Sequence, residues 1–516
     1  MTENYLVRLS RTINENLDKP ALTDFYLTED GTARDASRGN HYTFGEMYAE
    51  IVRLGELFMK LGLRKGDHIA ICGTNSSHWI IAYLAIAKIQ GVSVLVMNGL
   101  VPEQISQLLF FADAKALLID DDIWEGLKGQ SLSQIQHVIS LSDWNILNST
   151  KSIAVSAPPM TELIGKAAVF VGSDDDLQTI CFTSGTTGGA KGVMLSYANV
   201  SASARGVAEA CILHENKRAV SFLPLSHAYV LGGQVLTPLS YGCCIYSLCG
   251  NKIPELMFKS IAMIQPYAIF VVPMLVAKMN DPKLRPLLPI LTKSLEYMVI
   301  GGAEFPIETE RALAEMRIPI APGYGVTETA ALISLSNFAH HRLGASGHIV
   351  STLQCRIAPN GEILVKGENV MLGYYKDPEA TARKIDKDGW LHTGDKGHLD
   401  EDGYLYVEGR LEQDIIVLPN GENIRPDNIE ALINALPEVS ESIVVARDGK
   451  LVAIVVPDKK IINLKSEIIN IGELRRNILR AINPQLPLFS QLYDVEITDQ
   501  PLQRTEKQTI KRYLYK

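Results

Sequence analysis

The sequence predicts an α/β protein with a large N-terminal domain and a small α+β C-terminal domain. Three observations support this prediction. Short apolar strands alternate with helices before residue 342, and this βαβ order indicates subdomains built on parallel sheets. After residue 342 the pattern changes to short strands with turns, as in GEILVKGENVMLGYY, which favours a small antiparallel β subdomain. A second change near Gly409 separates a last segment that is long enough for a small domain.

The N-terminal elements follow from caps and apolar spacing. Thr43 and Glu46 form a capping box ahead of a helical repeat of apolar residues, and Gly62 ends that helix. A strand at His68–Cys72, a helix at 78–90 and a strand at 92–97 come next. Later strands are predicted at 117–120, 179–182, 219–223, 244–248, 268–272 and 295–300.

The last segment has its own set of elements. Asp427 and Glu430 are predicted to cap a helix over 427–435. SIVVA and LVAIVVP form two strands around the turn Asp448-Gly449, and a further strand lies near Val495–Ile497. We therefore predict an N-terminal domain at 1–409, whose β subdomain covers about 342–409, and a C-terminal domain at 410–516.

Composition excludes several classes of protein. The 516 residues are 47% hydrophobic and 21% charged, and the net charge of −9 comes without a basic block, so nucleic acid is not an expected partner. No apolar run reaches transmembrane length, and the N-terminus lacks the apolar core of a secretory signal, so at most a peripheral membrane contact is expected. The seven cysteines show no metal-binding spacing, which is typical of reduced thiols in a cytoplasmic protein.

The stretch TICFTSGTTGGAKGVML at 179–195 has the composition of a phosphate-binding loop. Its glycines let backbone N–H groups approach an anion, its hydroxyls add donors, and Lys191 adds a mobile positive charge. The common nucleoside-triphosphate loop has the pattern G-x-x-x-x-G-K-[ST], whereas here Ala190 precedes the lysine and Gly192 follows it.

This loop resembles the signature loop of the adenylate-forming (AMP-dependent) synthetase and ligase superfamily, apart from Ala190, where the family usually has proline. Among its members the chain is most like bacterial fatty-acyl-CoA synthetases. The resemblance implies that Lys191 acts in catalysis and that the loop binds ATP phosphates. The implied nucleotide contacts in the loop are Thr183, Ser184, Gly185, Thr186, Thr187 and Gly188.

Two further stretches match the family around the acyl and adenine sites. In FLPLSHAY, the resemblance implies that His227 lines the pocket near the substrate carboxylate. This stretch lacks the aspartate with which amino-acid-activating relatives hold an amine, so we expect an acid without an α-amino group. In VIGGAE, Gly302 and Ala303 are implied to leave room for the adenine and the acyl chain.

The stretch APGYGVTET at 321–329 is the second strongest match. Tyr324, followed by Gly325, offers a flat face to adenine, Thr327 offers a hydroxyl to phosphate, and Glu328 offers a hard oxygen ligand to Mg²⁺. The stretch has Val326 where acetate-activating relatives place a tryptophan, so the acyl pocket could extend deeper.

A carboxylate and an arginine complete the predicted nucleotide site. Asp395, in WLHTGDKGH, can accept both ribose hydroxyls, and the family aspartate does so. Arg410, in VEGR, is similarly implied to contact ribose and phosphate.

Two positions near the C-terminus depart from the family pattern. Counted from Thr505, the usual catalytic lysine falls on Thr509, with Lys507 and Lys511 two residues away on either side. In an extended segment these side chains share one face, so either lysine could substitute. The implied hinge of the small domain is Glu412, or Gln413 if the stretch is one residue longer than usual.

The resemblance implies that a small carboxylic acid, expected to be a fatty acid, reacts with ATP and Mg²⁺ to give acyl-AMP and pyrophosphate, and that coenzyme A then takes the acyl group. This activity would belong to fatty acid and lipid metabolism. Three alternatives stay open: an acyl-AMP ligase that loads an acyl carrier protein, an aryl-CoA ligase, and a non-catalytic homologue that binds acyl groups or nucleotides. A monomer or homodimer is expected.

Overall fold

The structure is a computed structural model, and helices and strands cover most of its described residues. The described residues are 3–27, 33–34, 40–150, 163, 167–170, 172–183, 191–211, 213, 215–249, 254–279, 292–303, 305–411, 415–458, 471–503, 510 and 512–515.

Thirteen helices, apart from 3-10 turns, have both ends within these ranges. They are α1 (Tyr5–Glu15), α2 (Phe44–Leu61), α3 (Ser77–Lys88), α4 (Pro102–Phe111), α5 (Asp121–Leu127), α6 (Tyr197–Ala210), α7 (228–240, π-helical over Leu231–Leu236), α8 (Pro254–Ile264), α9 (Pro273–Lys278), α10 (Ile307–Glu315), α11 (Pro378–Lys384), α12 (Pro426–Asn434) and α13 (Ile471–Ile482).

The strands within the same ranges are numbered likewise. They are β1 (Pro20–Leu27), β2 (Ala33–Arg34), β3 (His41–Thr43), β4 (His68–Cys72), β5 (Val92–Leu95), β6 (Ala116–Ile119), β7 (His137–Ser140), β8 (Ile146–Ser149), β9 (Leu177–Thr183), β10 (Lys191–Ser196), β11 (Arg218–Ser221), β12 (Cys244–Leu248), β13 (Ala268–Val271), β14 (Tyr297–Ile300), β15 (Ile320–Tyr324), β16 (Ser334–Leu335), β17 (His348–Ile349), β18 (Leu353–Ile357), β19 (Glu362–Gly367), β20 (Gly373–Tyr374), β21 (Leu391–Leu399), β22 (Leu405–Arg410), β23 (Ile416–Val417), β24 (Asn423–Ile424), β25 (Val439–Arg447), β26 (Lys450–Pro457) and β27 (Leu492–Ile497).

The chain divides into two compact units. The first is Met1–Asn98, Ile105–Thr183 and Lys191–Leu411, and the main body of the second is Glu412–Lys516. The predicted hinge residues, Glu412 and Gln413, lie outside the described residues.

Two large sheets with parallel centres form the first unit. One has the order β17-β16-β15-β14-β13-β11-β12-β1-β2, with β3 beside β1, and the other has the order β20-β10-β9-β5-β4-β6-β7-β8. The pairs from β1 through β12, β11, β13 and β14 to β15 are parallel, as are those joining β9, β5, β4, β6 and β7. A separate antiparallel sheet, β18-β19-β21-β22, spans 353–410. The predicted α/β class, with its small antiparallel subdomain, is confirmed.

The first predicted capping box is present at α2. The Glu46 N–H donates to Thr43 Oγ1 over 3.2 Å, and the Thr43 N–H donates to Glu46 Oε2 over 2.8 Å. Gly62 ends the helix in the left-handed region, at φ 91°. Local sequence therefore sets both ends of this helix.

The second unit contains the sheet β25-β26-β27, and the turn between its first two strands is at Asp448 and Gly449, both with positive φ. The second predicted capping box is wrong. Arg425 occupies the N-cap position of α12 and makes no capping bond through its side chain. Glu430 instead accepts a bond of 2.6 Å from the Val444 N–H and pairs with Arg512, because these tertiary partners hold its carboxylate away from the helix end.

No helix in the described part of the chain is both long enough and apolar enough to cross a membrane.

Candidate functional site

The strands on either side of the glycine-rich loop fix both of its ends. Thr183 at the end of β9 pairs with Lys191 at the start of β10 in an antiparallel register. On its other side β10 pairs with β20, where Val193 lies opposite Tyr374. The predicted loop contacts from Ser184 to Gly188 lie outside the described residues.

Lys191 lies over an aromatic ring at the start of β10. Its Nζ is 4.8 Å from the centroid of the Tyr374 ring, within the range of a cation–π contact. Burial lowers the pKa of Lys191, and the nearby carboxylates of Asp377 and Glu328 oppose that shift. Two nearby basic side chains add to the lowering, so the amine lies in a partly buried site with charges of both signs.

Glu328 lies in a tight 3-10 turn, Thr327–Thr329. The Thr329 hydroxyl donates to the Val326 carbonyl over 2.9 Å and so closes the turn from within. The Met371 N–H donates to the backbone carbonyl of Glu328 over 2.9 Å, and the Tyr374 hydroxyl donates to Glu328 Oε1 over 2.6 Å. The carboxylate is thus held in one orientation.

Residue 325 must be glycine because another backbone segment of the chain lies very close to it. A Cβ added there would lie 2.3 Å from the Ala331 carbonyl oxygen. We expect Gly325→Ala to lower the free energy of unfolding by about 1–3 kcal/mol, because backbone must move against backbone. Denaturant unfolding of this variant measures the loss, and Gly55→Ala is its control, since a Cβ at Gly55 meets its nearest neighbour at 3.5 Å. Equal unfolding free energies for wild type and Gly325→Ala would contradict this reading of the turn.

Asp395 is the buried centre of a second group of side chains. Its Oδ2 accepts a bond of 2.6 Å from the Tyr324 hydroxyl, and its Oδ1 lies 3.0 Å from Arg410 Nε. Burial raises the pKa of Asp395, and the Arg410 charge opposes that shift. Each carboxylate oxygen has a second lone pair, so the group can still accept hydroxyl donors.

The turn before Asp395 is fixed by another carboxylate. Glu362 accepts bonds from the Gly394 N–H at 3.0 Å and from His392 Nδ1 at 2.9 Å. Gly394 has φ 80°, which favours glycine. Lys384 also belongs here, because its Nζ donates to the Thr393 carbonyl over 2.9 Å. These contacts orient Asp395 toward Tyr324.

His227 and the glycines of VIGGAE follow two strands of the other large sheet, β11 and β14, between which β13 lies. His227 is the N-cap residue of α7, six residues after β11, and is half-buried. Gly301 and Gly302 follow β14, where a Cβ on Gly301 would lie 3.4 Å from the Tyr229 ring. Gly302 has φ 85°, and Ala303 is half-buried.

Within the predicted site, the described residues form two groups of contacts. Tyr374 contacts both Lys191 and Glu328, and Tyr324 links its strand to Asp395 and thereby to Arg410. The predicted catalytic lysines, Lys507 and Lys511, lie outside the described residues, as do Thr509 and Glu412.

Sequence reasoning missed Tyr374, Lys384 and Glu362. The sequence contained no local signal for them, because their roles arise from strand pairing and from contacts between distant segments.

The donor set fits a magnesium ion bound with substrate phosphates. Mg²⁺ usually keeps several waters and takes only one or two carboxylates together with phosphate oxygens. Among the described residues no group of three or more His, Cys, Asp or Glu side chains forms a cage, and Glu328 supplies one oriented carboxylate. A site completed by nucleotide and water is the kind that this arrangement favours.

Comparison with known proteins decides the family. The model of the AMP-binding enzyme family matches residues 9–375, and that of the AMP-binding enzyme C-terminal domain matches residues 413–515. The chain belongs to the AMP-binding enzyme family. The resemblance to adenylate-forming enzymes is confirmed, and so is the expectation of an AMP-forming acid–thiol ligase.

Individual members of this family are similar to this chain over most of its length. A 2-succinylbenzoate–CoA ligase from Oceanobacillus iheyensis is 30% identical over 81% of this chain and 83% of its own. 4-Coumarate–CoA ligase 4 from Arabidopsis thaliana is 27% identical over 80% and 76%. The solved o-succinylbenzoate CoA synthetase from Bacillus subtilis shares the fold, with a TM-score of 0.76 at 24% identity over 99% of this chain and 97% of its own. None of these three names a fatty acid, so the predicted place in fatty acid metabolism is not supported by them.

Proposed function

We propose that this enzyme activates a compact acid that carries an aromatic or alicyclic ring, and passes it from acyl-AMP to coenzyme A. The observation that best supports this proposal is the position of Tyr229 in the half-buried first turn of α7. Its hydroxyl lies 3.3 Å from the carbonyl oxygens of both Val271 and Val299, so the side chain reaches from α7 across to β13 and β14. This reach supports a short acyl pocket.

The packing around Tyr229 supports the same limit. Its ring makes an edge contact with Phe270 at a centroid distance of 6.0 Å, and Phe270 lies so close to Gly233 that a Cβ there would be 2.6 Å from the ring. On another face of α7, a cavity of about 20 Å³ has room for about one water molecule. The packing of Tyr229 against Phe270 supports a compact acyl pocket, as do the ring-bearing acids named in the 2-succinylbenzoate and 4-coumarate ligases.

In the proposed first step, a carboxylate oxygen forms a bond to the α-phosphorus of ATP, and the bond from that phosphorus to the bridging oxygen breaks to release pyrophosphate. Lys191 balances charge on the β- and γ-phosphates, Thr327 donates to the α-phosphate, and His227 orients the carboxylate. Mg²⁺, when bound at Glu328, neutralises phosphate charge. Positioning and charge neutralisation suffice for this chemistry.

The nucleotide is held at its other end by Asp395, which accepts the ribose hydroxyls, and by Arg410. Tyr324 and Gly325 line the adenine site, and Gly302 and Ala303 leave space between adenine and acyl group. Rotation of the small domain, 410–516, about Glu412 then admits coenzyme A, whose sulfur attacks the acyl carbonyl carbon and expels AMP. Lys507 or Lys511 takes the role of the lysine that Thr509 replaces.

The test is pyrophosphate release from ATP across a panel of acids, from acetate to palmitate and including aromatic and alicyclic acids, with and without coenzyme A. Release that is fastest with ring-bearing acids and yields a CoA thioester supports the proposal. Fastest release with palmitate would contradict it. Release without thioester formation would instead favour transfer to a carrier protein.

Tyr229 offers a direct change to the pocket. We expect Tyr229→Ala to raise the ratio of kcat/KM for decanoate to that for a ring-bearing acid at least about tenfold, because the cavity it leaves accepts extra methylene groups worth about 0.8 kcal/mol each. Tyr229→Phe keeps the ring and is the matched control. An unchanged ratio in Tyr229→Ala would show that the side chain does not limit the pocket.

A further inference from the structure

Tyr374 lies where three segments of the first unit meet. Strand β20, which carries it, pairs with β10 through Val193, and the Tyr375 N–H donates to the Gly192 carbonyl over 2.7 Å on the same edge. The turn that carries Glu328 is bound to the same segment through the Met371 N–H. Backbone bonds therefore fix Tyr374 relative to both neighbours.

The hydroxyl and the ring of Tyr374 make different contacts. Its hydroxyl donates to Glu328 Oε1 over 2.6 Å, while the face of its ring lies 4.8 Å from Lys191 Nζ. Within the described residues, the other oxygen of Glu328, Oε2, takes part in no hydrogen bond.

We propose that Tyr374 is a positioning residue for the metal: its hydroxyl holds one oxygen of Glu328 so that the other is presented to the divalent cation that accompanies ATP. A hydrogen bond to a charged group is stronger than one between neutral groups, and a fixed carboxylate loses less conformational entropy when the metal binds. The inference rests on the proposed role of Glu328 and is independent of the acid that the enzyme activates.

Tyr374→Phe removes the hydroxyl and keeps the ring beneath Lys191. With the full-length enzyme and α,β-methylene-ATP, we expect this variant to raise the Kd of Mn²⁺, followed by its electron paramagnetic resonance, about tenfold. Binding of the same nucleotide in EDTA should change by less than about twofold, since the hydroxyl acts through Glu328.

Tyr375→Phe is the matched control, because the hydroxyl of Tyr375 also donates to a carboxylate, Asp113 Oδ2, over 2.7 Å at an exposed position. It should leave Mn²⁺ affinity unchanged. In a Glu328→Gln background, which itself weakens Mn²⁺ binding, adding Tyr374→Phe should raise the Kd by less than about twofold.

Three results would overturn the inference. One is wild-type Mn²⁺ affinity in Tyr374→Phe. Another is an equal loss of nucleotide binding in EDTA, which would indicate a general effect on the pocket, and the third is an undiminished effect of Tyr374→Phe in the Glu328→Gln background. If Glu328→Gln alone leaves Mn²⁺ affinity unchanged, the proposed role of Glu328 fails first, and that of Tyr374 fails with it.

Discussion

Glu328→Gln is expected to lower kcat/KM for pyrophosphate release by about 10²–10³-fold, the loss typical of removing one preorganised charge-stabilising group. The amide has nearly the same shape and can still accept the bond from the Tyr374 hydroxyl, so the turn at Thr327–Thr329 should keep its structure. What it lacks is the negative charge that attracts a hard cation. Steady-state kinetics over a range of Mg²⁺ concentrations measures the effect.

The matched control for this variant is Glu308→Gln. Glu308 lies on α10 with 80% of its side chain exposed, so its charge should have no effect on turnover. Equal activity of Glu328→Gln and wild type at limiting Mg²⁺ would show that Glu328 does not bind the metal.

Asp395→Asn is expected to raise the KM for ATP about 10–100-fold, because hydrogen bonds to a charged acceptor contribute about 1.5–3 kcal/mol. The free energy of unfolding should fall as well, since Arg410 loses its ion-pair partner and retains only 28% exposure of its side chain. Kinetics at varied ATP and denaturant unfolding measure the two effects.

Asp402→Asn is the control for this second variant, because Asp402 also pairs with an arginine, Arg342, but is 65% exposed, and such pairs contribute little. Wild-type KM for ATP in Asp395→Asn would contradict a role in binding ribose.

The raised pKa of Asp395 gives this site a pH dependence with a definite sign. A carboxyl group with a raised pKa takes up its proton at a higher pH than a free aspartate, so acidification should weaken ribose binding earlier than the ordinary pKa predicts. The KM for ATP should therefore rise as pH falls in the wild type and change less in Asp395→Asn.

The sequence predicted the parts of the fold that local patterns determine. Strand bounds such as His68–Cys72 and Cys244–Leu248 agree with the structure because buried strands are short apolar runs with clear turns at their ends. The box at Asp427 and Glu430 failed because capping competes with tertiary partners, and here Val444 and Arg512 hold the carboxylate. Residue spacing alone cannot show whether a carboxylate caps its helix or binds tertiary partners.

The candidate site was predictable where one stretch carries the chemistry and unpredictable where strand pairing creates it. Glu328 and Asp395 lie in stretches that match the family, and the structure orients both side chains. Tyr374 and Tyr375 are neighbours of the same type in one short segment, and only the pairing of β20 with β10 directs the first to Glu328 and the second to Asp113.

The short length of β20 also favours solubility of the protein. β20 is the edge strand of the eight-stranded sheet and has only two residues, Gly373 and Tyr374. A long unpaired edge is a template for strand addition from another chain, and very short edge strands are one way in which proteins prevent such aggregation. The strand that places Tyr374 beside Lys191 thus also ends the sheet with few exposed backbone donors and acceptors, so lengthening it would increase the risk of self-association.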